Sequence, residues 1–409
     1  MIKVNRFTLP NGLRVVHHED SATAMVALNI LYNVGSRDES PEMTGMAHLF
    51  EHLMFGGSEH IMHYDKELER AGGTNNAWTN CDYTNFYDII PGHNVETAFW
   101  LESDRMNGLA FSEKALEVQR HVVCEEFKQV CLNQPYGDLS HYLNALAYTT
   151  HPYRTPVIGK ELSHIERVTN DDVRNFFHAH YAPNNAVLAV TGNISLDRVK
   201  ELAEKWFSPI PSREIAPRNY QQEPKQTSPR KMTVSGRVPN TAVVIAYHMP
   251  GFHNREYTVC DTITDLLSAG YASRFYRNLM LGTEMFNRCD ASITGSMEPG
   301  LLLLQGYLRD GVNPQDAIDR LNEEALSLVQ SPPDFHELER VKNNYEATQT
   351  FSQMSYVNLA ANLAQCEMNG IDLQDLITMH RSVTVDEIIE TTRSIITPDN
   401  SSTLIYNPE

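Results

Sequence analysis

Residues 45–55 read Gly45-Met46-Ala47-His48-Leu49-Phe50-Glu51-His52-Leu53-Met54-Phe55. The run is apolar apart from two histidines and one glutamate. A helix that is apolar nearly all round is buried, so the fold has to enclose this segment and still find partners for three polar side chains. On a helix, positions i, i+3 and i+4 share one face. His48, Glu51 and His52 therefore point the same way. An unpartnered charge in such a place is expensive, and a metal ion held by both imidazoles removes the problem. The bland alternative, two surface histidines beside a salt-bridging glutamate, does not suit so apolar a setting.

A catalytic zinc site takes three protein ligands and keeps one position for water. The third ligand is sought in residues 113–134, where Ala115, Leu116, Val118, Val122, Val123, Phe127, Val130 and Cys131 recur at helical spacing. Glu125 stacks with His121 and Gln129, a polar line expected to face water. Glu126 stacks with Val122 and Val130, an apolar line expected to face the core. Glu126 is therefore the chosen ligand, against the alternative of a buried glutamate paired with an arginine. With His48, His52 and Glu126 as ligands and Glu51 as base, the set suits hydrolysis by a metal-activated water. No Ser or Cys nucleophile is needed. Two further pairs, His17-His18 and His60/His63, read as surface residues rather than as a second metal site.

The chain has 409 residues, enough for two or three domains. No run approaches the roughly 18 apolar residues that span a bilayer as a helix, and no membrane partner is expected. Met1-Ile2-Lys3-Val4-Asn5-Arg6 runs straight into a strand with no signal-peptide pattern. A cytoplasmic location is the expectation, or a periplasmic one if an export signal has been removed. The six cysteines form no C-x-x-C pair and read as free thiols. The net charge of -19 argues against nucleic-acid binding. It would favour cationic or neutral peptides in an enclosed chamber, although a solvated acidic surface explains it equally well.

Strands are expected at residues 26–32, 186–192, 241–247, 301–307 and 402–406, and helices at 95–109, 171–181, 196–207, 256–267, 314–329, 334–353 and 384–396. Residues 209–231 hold five prolines and many polar residues, a linker composition. The division expected is a metal-binding catalytic domain over 1–210, a Pro-rich linker over 211–231 and a second domain without a metal site over 232–409. The halves are similar in length and element order, the pattern of an internal duplication.

The motifs together resemble one known family. H-x-x-E-H followed by a distant Glu is the inverzincin arrangement. Thr8-Leu9-Pro10-Asn11-Gly12-Leu13-Arg14-Val15-Val16, Gly35-Ser36-Arg37-Asp38-Glu39, Gly72-Gly73-Thr74-Asn75-Asn76-Ala77-Trp78-Thr79, Asp82-Tyr83-Thr84-Asn85-Phe86-Tyr87 and Arg120-His121-Val122-Val123-Cys124-Glu125-Glu126 resemble successive segments of the pitrilysin/insulinase (M16) zinc peptidases. The resemblance covers essentially the whole chain. It implies an α+β fold of two tandem homologous domains, each a mostly antiparallel sheet covered by helices, together half of a clamshell. It implies Zn2+ on His48, His52 and Glu126, with Glu51 as base. The strand Asn76-Ala77-Trp78-Thr79 would bind an extended peptide by strand addition, with Trp78 either touching substrate or filling the core. The implied function is a zinc endopeptidase subunit cutting peptides or short unfolded segments in a closed chamber. The alternative is a non-catalytic structural or assembly subunit.

One departure bears on the partner. Active members add an Arg and a Tyr seven residues apart, which stabilise the developing oxyanion. Here Met280 and Asn287 stand in those places, and neither Arg274 nor Arg277 has a Tyr at the right distance. The resemblance then implies a related second subunit supplying the Arg-Tyr pair. Such a heterodimer would be like the short bacterial members and the mitochondrial processing peptidase; a homodimer is the weaker expectation.

Overall fold

Two sheets with one strand order organise the computed structural model, which describes residues 2–409. The first sheet contains β1 (Asn5–Thr8), β2 (Arg14–Glu19), β3 (Met25–Tyr32), β4 (Thr74–Thr79), β5 (Thr84–Pro91) and β6 (Ala186–Gly192), in the order β1-β2-β6-β3-β5-β4. The second contains β7 (Arg230–Gly236), β8 (Ala242–Met249), β9 (Phe286–Ile293), β10 (Gly300–Leu308) and β11 (Ser401–Pro408), in the order β7-β11-β8-β10-β9. Set β1 aside and both sheets run first, fifth, second, fourth, third by chain order. Each also has one parallel pair, β2 with β6 and β7 with β11, at the same place. The remaining pairings are antiparallel. The expected duplication is thus visible in the topology: two mostly antiparallel sheets with helices packed on them.

The central strands explain themselves. Ala186–Gly192 is buried along its whole length, and Ala242–Met249 nearly so. Both are continuous apolar runs, as strands covered on both faces should be. Residues 211–229 carry no helix or strand. Among the described residues no helix is long and apolar enough to cross a membrane.

The compact units do not follow the chain. One comprises the residues up to Phe127, Pro156–Asn219 and Gln349–Asp375; the other comprises Lys128–Thr155, Tyr220–Thr348 and Leu376–Glu409. In the first unit the helix Tyr356–Asn369 packs on β3 and β6, and in the second the helix Leu139–Ala147 packs on β11 and β8. Each half of the sequence therefore lends a helix to the other half's sheet. A cut within residues 211–231 separates the two sheets in the sequence, but it does not separate these units.

In the first unit the helix Val95–Asn107 carries Arg105 into the core, fully buried. Its Nε donates to Glu102 Oε2 at 2.7 Å, and its guanidinium lies 4.4–5.2 Å from the ring centres of Tyr64, Phe86 and Phe55. Removing one partner from a buried ion pair strands the other. Glu102→Gln is expected to cost about 3–5 kcal/mol, read as a lower denaturant midpoint with an unchanged slope.

Candidate metal centre

The helix Met46–Leu53 connects β3 towards β4 and buries Met46, Ala47, Leu49, Phe50 and Leu53. Phe50 stacks on Tyr181 with centroids 4.1 Å apart. The free N–H groups at the helix start are taken by one carboxylate: Gly45 N donates to Glu39 Oε2 and Ala47 N to Glu39 Oε1, both at 2.8 Å. Gly45 has φ +85°, and a Cβ there would stand 2.9 Å from the Ile158 carbonyl oxygen. Only glycine fits this entry.

The opposite face of the helix stays partly open. The His48 and His52 side chains are 14% and 24% exposed. Glu126 comes from the helix Glu113–Phe127, at its junction with a π-helical turn, Lys128–Leu132. His48 Nε2 lies 3.7 Å from Glu126 Oε1, and His52 Nε2 lies 3.4 Å from Glu126 Oε2. One ligand atom from each residue fits within 4.8 Å of the others. Three ligands about 2 Å from a tetrahedral ion stand roughly 3.3 Å apart, so a small closing of the side chains suffices. The donor set fits such an ion. Burial lowers the His48 pKa and favours the neutral, ligating imidazole. The hydrogen bond with His52 holds the Glu126 pKa down, as carboxylate. Among the described residues, His48, His52 and Glu126 form the one such group of three.

The helix face that carries Glu126 is not the apolar, core-facing one expected from the sequence. The line Val118, Val122, Glu126, Val130 does not face the core: Val122 is 42% and Val130 39% exposed. The buried face of this helix is Leu116, Val123, Cys124 and Phe127. Glu126 sits at the margin of that face, and Glu125 is exposed. Among the described residues, no oxygen acceptor of the kind expected behind a ligating histidine meets the buried His48 Nδ1.

Glu51 shares the partly open face. Burial raises its pKa, and the hydrogen bond from Thr79 opposes that rise: Thr79 Oγ1 donates to Glu51 Oε2 at 2.5 Å. Thr79 ends β4, the edge strand beyond β5. Asn80 N donates to Tyr83 O across the hairpin. Antiparallel pairs alternate, so with the register Thr79↔Thr84, Ala77↔Phe86 and Asn75↔Asp88 the backbone N–H and C=O groups of Asn75, Ala77 and Thr79 point to the open edge. Asn76 Oδ1 accepts from Ala77 N at 2.8 Å. Trp78 is half-buried, on the sheet face opposite Thr79.

Other singled-out residues lie elsewhere. His17 is fully buried, not on the surface, with Nε2 2.9 Å from Ile194 O. His60 is exposed and bonded to Asp104, and His63 is exposed. In the second sheet's unit the helix Arg255–Ser268 occupies the topological place of Met46–Leu53, between β8 and β9. It has no histidine, and Val259, Cys260, Ile263, Leu266 and Leu267 fill its buried face. Met280 closes the π-helical turn Phe275–Met280, and Asn287 in β9 donates to Leu308 O at 3.0 Å. Arg274 is engaged by Glu337 at 2.9 Å. Sequence reasoning missed Glu39 and the Thr79–Glu51 bond; Glu39 precedes the helix by seven residues and carried no capping signal of the usual spacing.

His48→Ala and Glu126→Ala are each expected to reduce bound divalent metal from one per chain to well below half, while Glu125→Ala retains it. Elemental analysis of dialysed protein is the check.

Residues 14–161 match the family description "Insulinase (Peptidase family M16)", and residues 167–345 match "Peptidase M16 inactive domain". A relative named zinc protease PqqE, from Helicobacter pylori, is 27% identical over 98% of this chain and 92% of its own length. A probable mitochondrial-processing peptidase subunit beta from Arabidopsis thaliana is 29% identical over 50% of this chain and 39% of its own length. Among solved structures, a protease from Helicobacter pylori superposes with TM-score 0.94 at 25% identity, covering 100% of both chains. The periplasmic protease PqqL from Escherichia coli gives 0.82 at 19% identity, covering 99% of this chain and 47% of that one. With both of its halves matched to that family's descriptions and its two sheets built on one plan, this chain belongs to the M16 peptidase family.

Proposed function

We infer that the chain is the metal-bearing subunit of a zinc endopeptidase acting on extended peptides. The observation that supports this most is the meeting of His48, His52 and Glu126 with Glu51 on the same face of the metal helix. A tetrahedral two-imidazole, one-carboxylate set suits zinc, and relatives carry the name zinc protease. When bound, it would lower the pKa of water from 15.7 toward about 7 and polarise the scissile carbonyl. Glu51 takes the proton of the attacking water and returns it to the leaving amine. The edge of β4 orients the peptide: Asn75, Ala77 and Thr79 offer main-chain groups, and Asn76 and Trp78 are the neighbours a substrate side chain meets.

The Arg-Tyr pair is read as coming from a second, related chain. Arg274 is already committed to Glu337, and Met280 and Asn287 offer no charge at the expected places. The rival reading, a scaffold without catalysis, draws on the relative titled peptidase M16 inactive domain from Pseudomonas fluorescens. It leaves three convergent ligand side chains and a carboxylate beside them without a purpose.

Glu51→Gln is expected to lower peptide cleavage by about 10²–10⁴-fold with metal content unchanged. Loss of the metal, or an unchanged rate, defeats the assignment of Glu51. Purification from the native cell is expected to bring down a related chain that has Arg and Tyr at the places of Met280 and Asn287 and lacks H-x-x-E-H. A fully active homodimer overturns the two-subunit reading.

A further inference from the structure

The Glu51 carboxylate has one hydrogen bond among the described residues, from the Thr79 hydroxyl. That bond ties the helix Met46–Leu53 to the last residue of the edge strand. A glutamate has three rotatable side-chain bonds, and a base acts only when its oxygen is within hydrogen-bond reach of the proton it takes. Thr79 fixes Oε2 and leaves Oε1 as the free oxygen. Threonine is suited to this: its branched Cβ is stiff at χ1 and sits well in a strand, so the hydroxyl direction follows the strand backbone.

The same residue has a second attachment. By the β4–β5 register, the Thr79 backbone N–H and C=O face the open edge. A peptide laid on that edge pairs with the main chain of the residue whose side chain holds the base.

We propose that Thr79 is a positioning residue that couples docking of an extended peptide on β4 to alignment of the Glu51 carboxylate. This rests on the peptidase reading above. Peptide pairing restrains the Thr79 backbone, the stiff side chain passes that restraint to Oγ1, and Oγ1 holds Oε2. A peptide that skips the strand pairing meets a less ordered base. The side chain binds no substrate atom itself.

The test compares Thr79→Val, which removes the hydroxyl at nearly constant shape, with Thr79→Ser, which keeps it. Both are made in the full chain, prepared with whatever partner accompanies it from the native cell. Thr79→Val is expected to lower kcat on the order of tenfold to a hundredfold, with KM and bound zinc within about twofold of wild type; Thr79→Ser is expected to recover most of the rate. Crystal structures of the two variants should show the Glu51 carboxylate turned from its place in the valine protein and held in the serine protein. The proposal is overturned if Thr79→Val turns over like wild type, if serine fails to rescue, or if the carboxylate is unmoved in the valine variant. A wild-type chain that binds zinc and cleaves no peptide sinks the peptidase reading instead, and the two crystal structures still decide the role of Thr79.

Discussion

The first turn of one eight-residue helix is the constraint from which the site follows. His48, Glu51 and His52 all sit on Met46–Leu53, so the direction of that helix sets all three. Its start is fixed by two backbone bonds to Glu39 and by the left-handed Gly45, which lets the chain pass Ile158 and Gly159 closely. Its buried side is fixed by Phe50 against Tyr181. With the helix held at both places, only Glu126 has to arrive from elsewhere. It does so at the end of an α-helix that widens at once into a π-turn, a distortion common where a side chain must be aimed.

The duplicated topology shows how one plan serves two uses. Strand order and the position of the parallel pair are the same in both sheets. The difference lies in the crossover after the second strand. In the first half it is the short helix bearing two imidazoles; in the second it is a fourteen-residue helix, Arg255–Ser268, packed with valine, isoleucine and leucine. The second-half helix is simply core, with no imidazole on it.

Much of the fold was legible because periodicity reports burial directly. The strand Met25–Tyr32 and the helix Leu196–Trp206 stand within a residue of their patterns. Three features were not legible. Residues 354–383 show no clean period, although Tyr356–Asn369 has Ser355 at its start and the left-handed Gly370 at its end; its face is half-covered and its pattern blurred. The exchange of Lys128–Thr155 and Gln349–Asp375 between units is tertiary, and no local signal encodes it. The apolar line through Val122 and Val130 suggested a core that is not there, because apolar residues at helical spacing can also stand on an exposed face. Glu126, rather than Glu125, lies beside the two imidazoles because it stands at the margin of the buried face.

The Asn76 amide oxygen bonded to the Ala77 N–H has a consequence of its own. Exposed strand edges invite unwanted partners, and this edge carries its own plug at the middle amide. A visiting chain has to displace an internal acceptor before it can zip along the strand, so part of the pairing enthalpy is cancelled in advance. Pairing offset in this way is weaker and more quickly reversed, which discourages the strand from recruiting copies of itself.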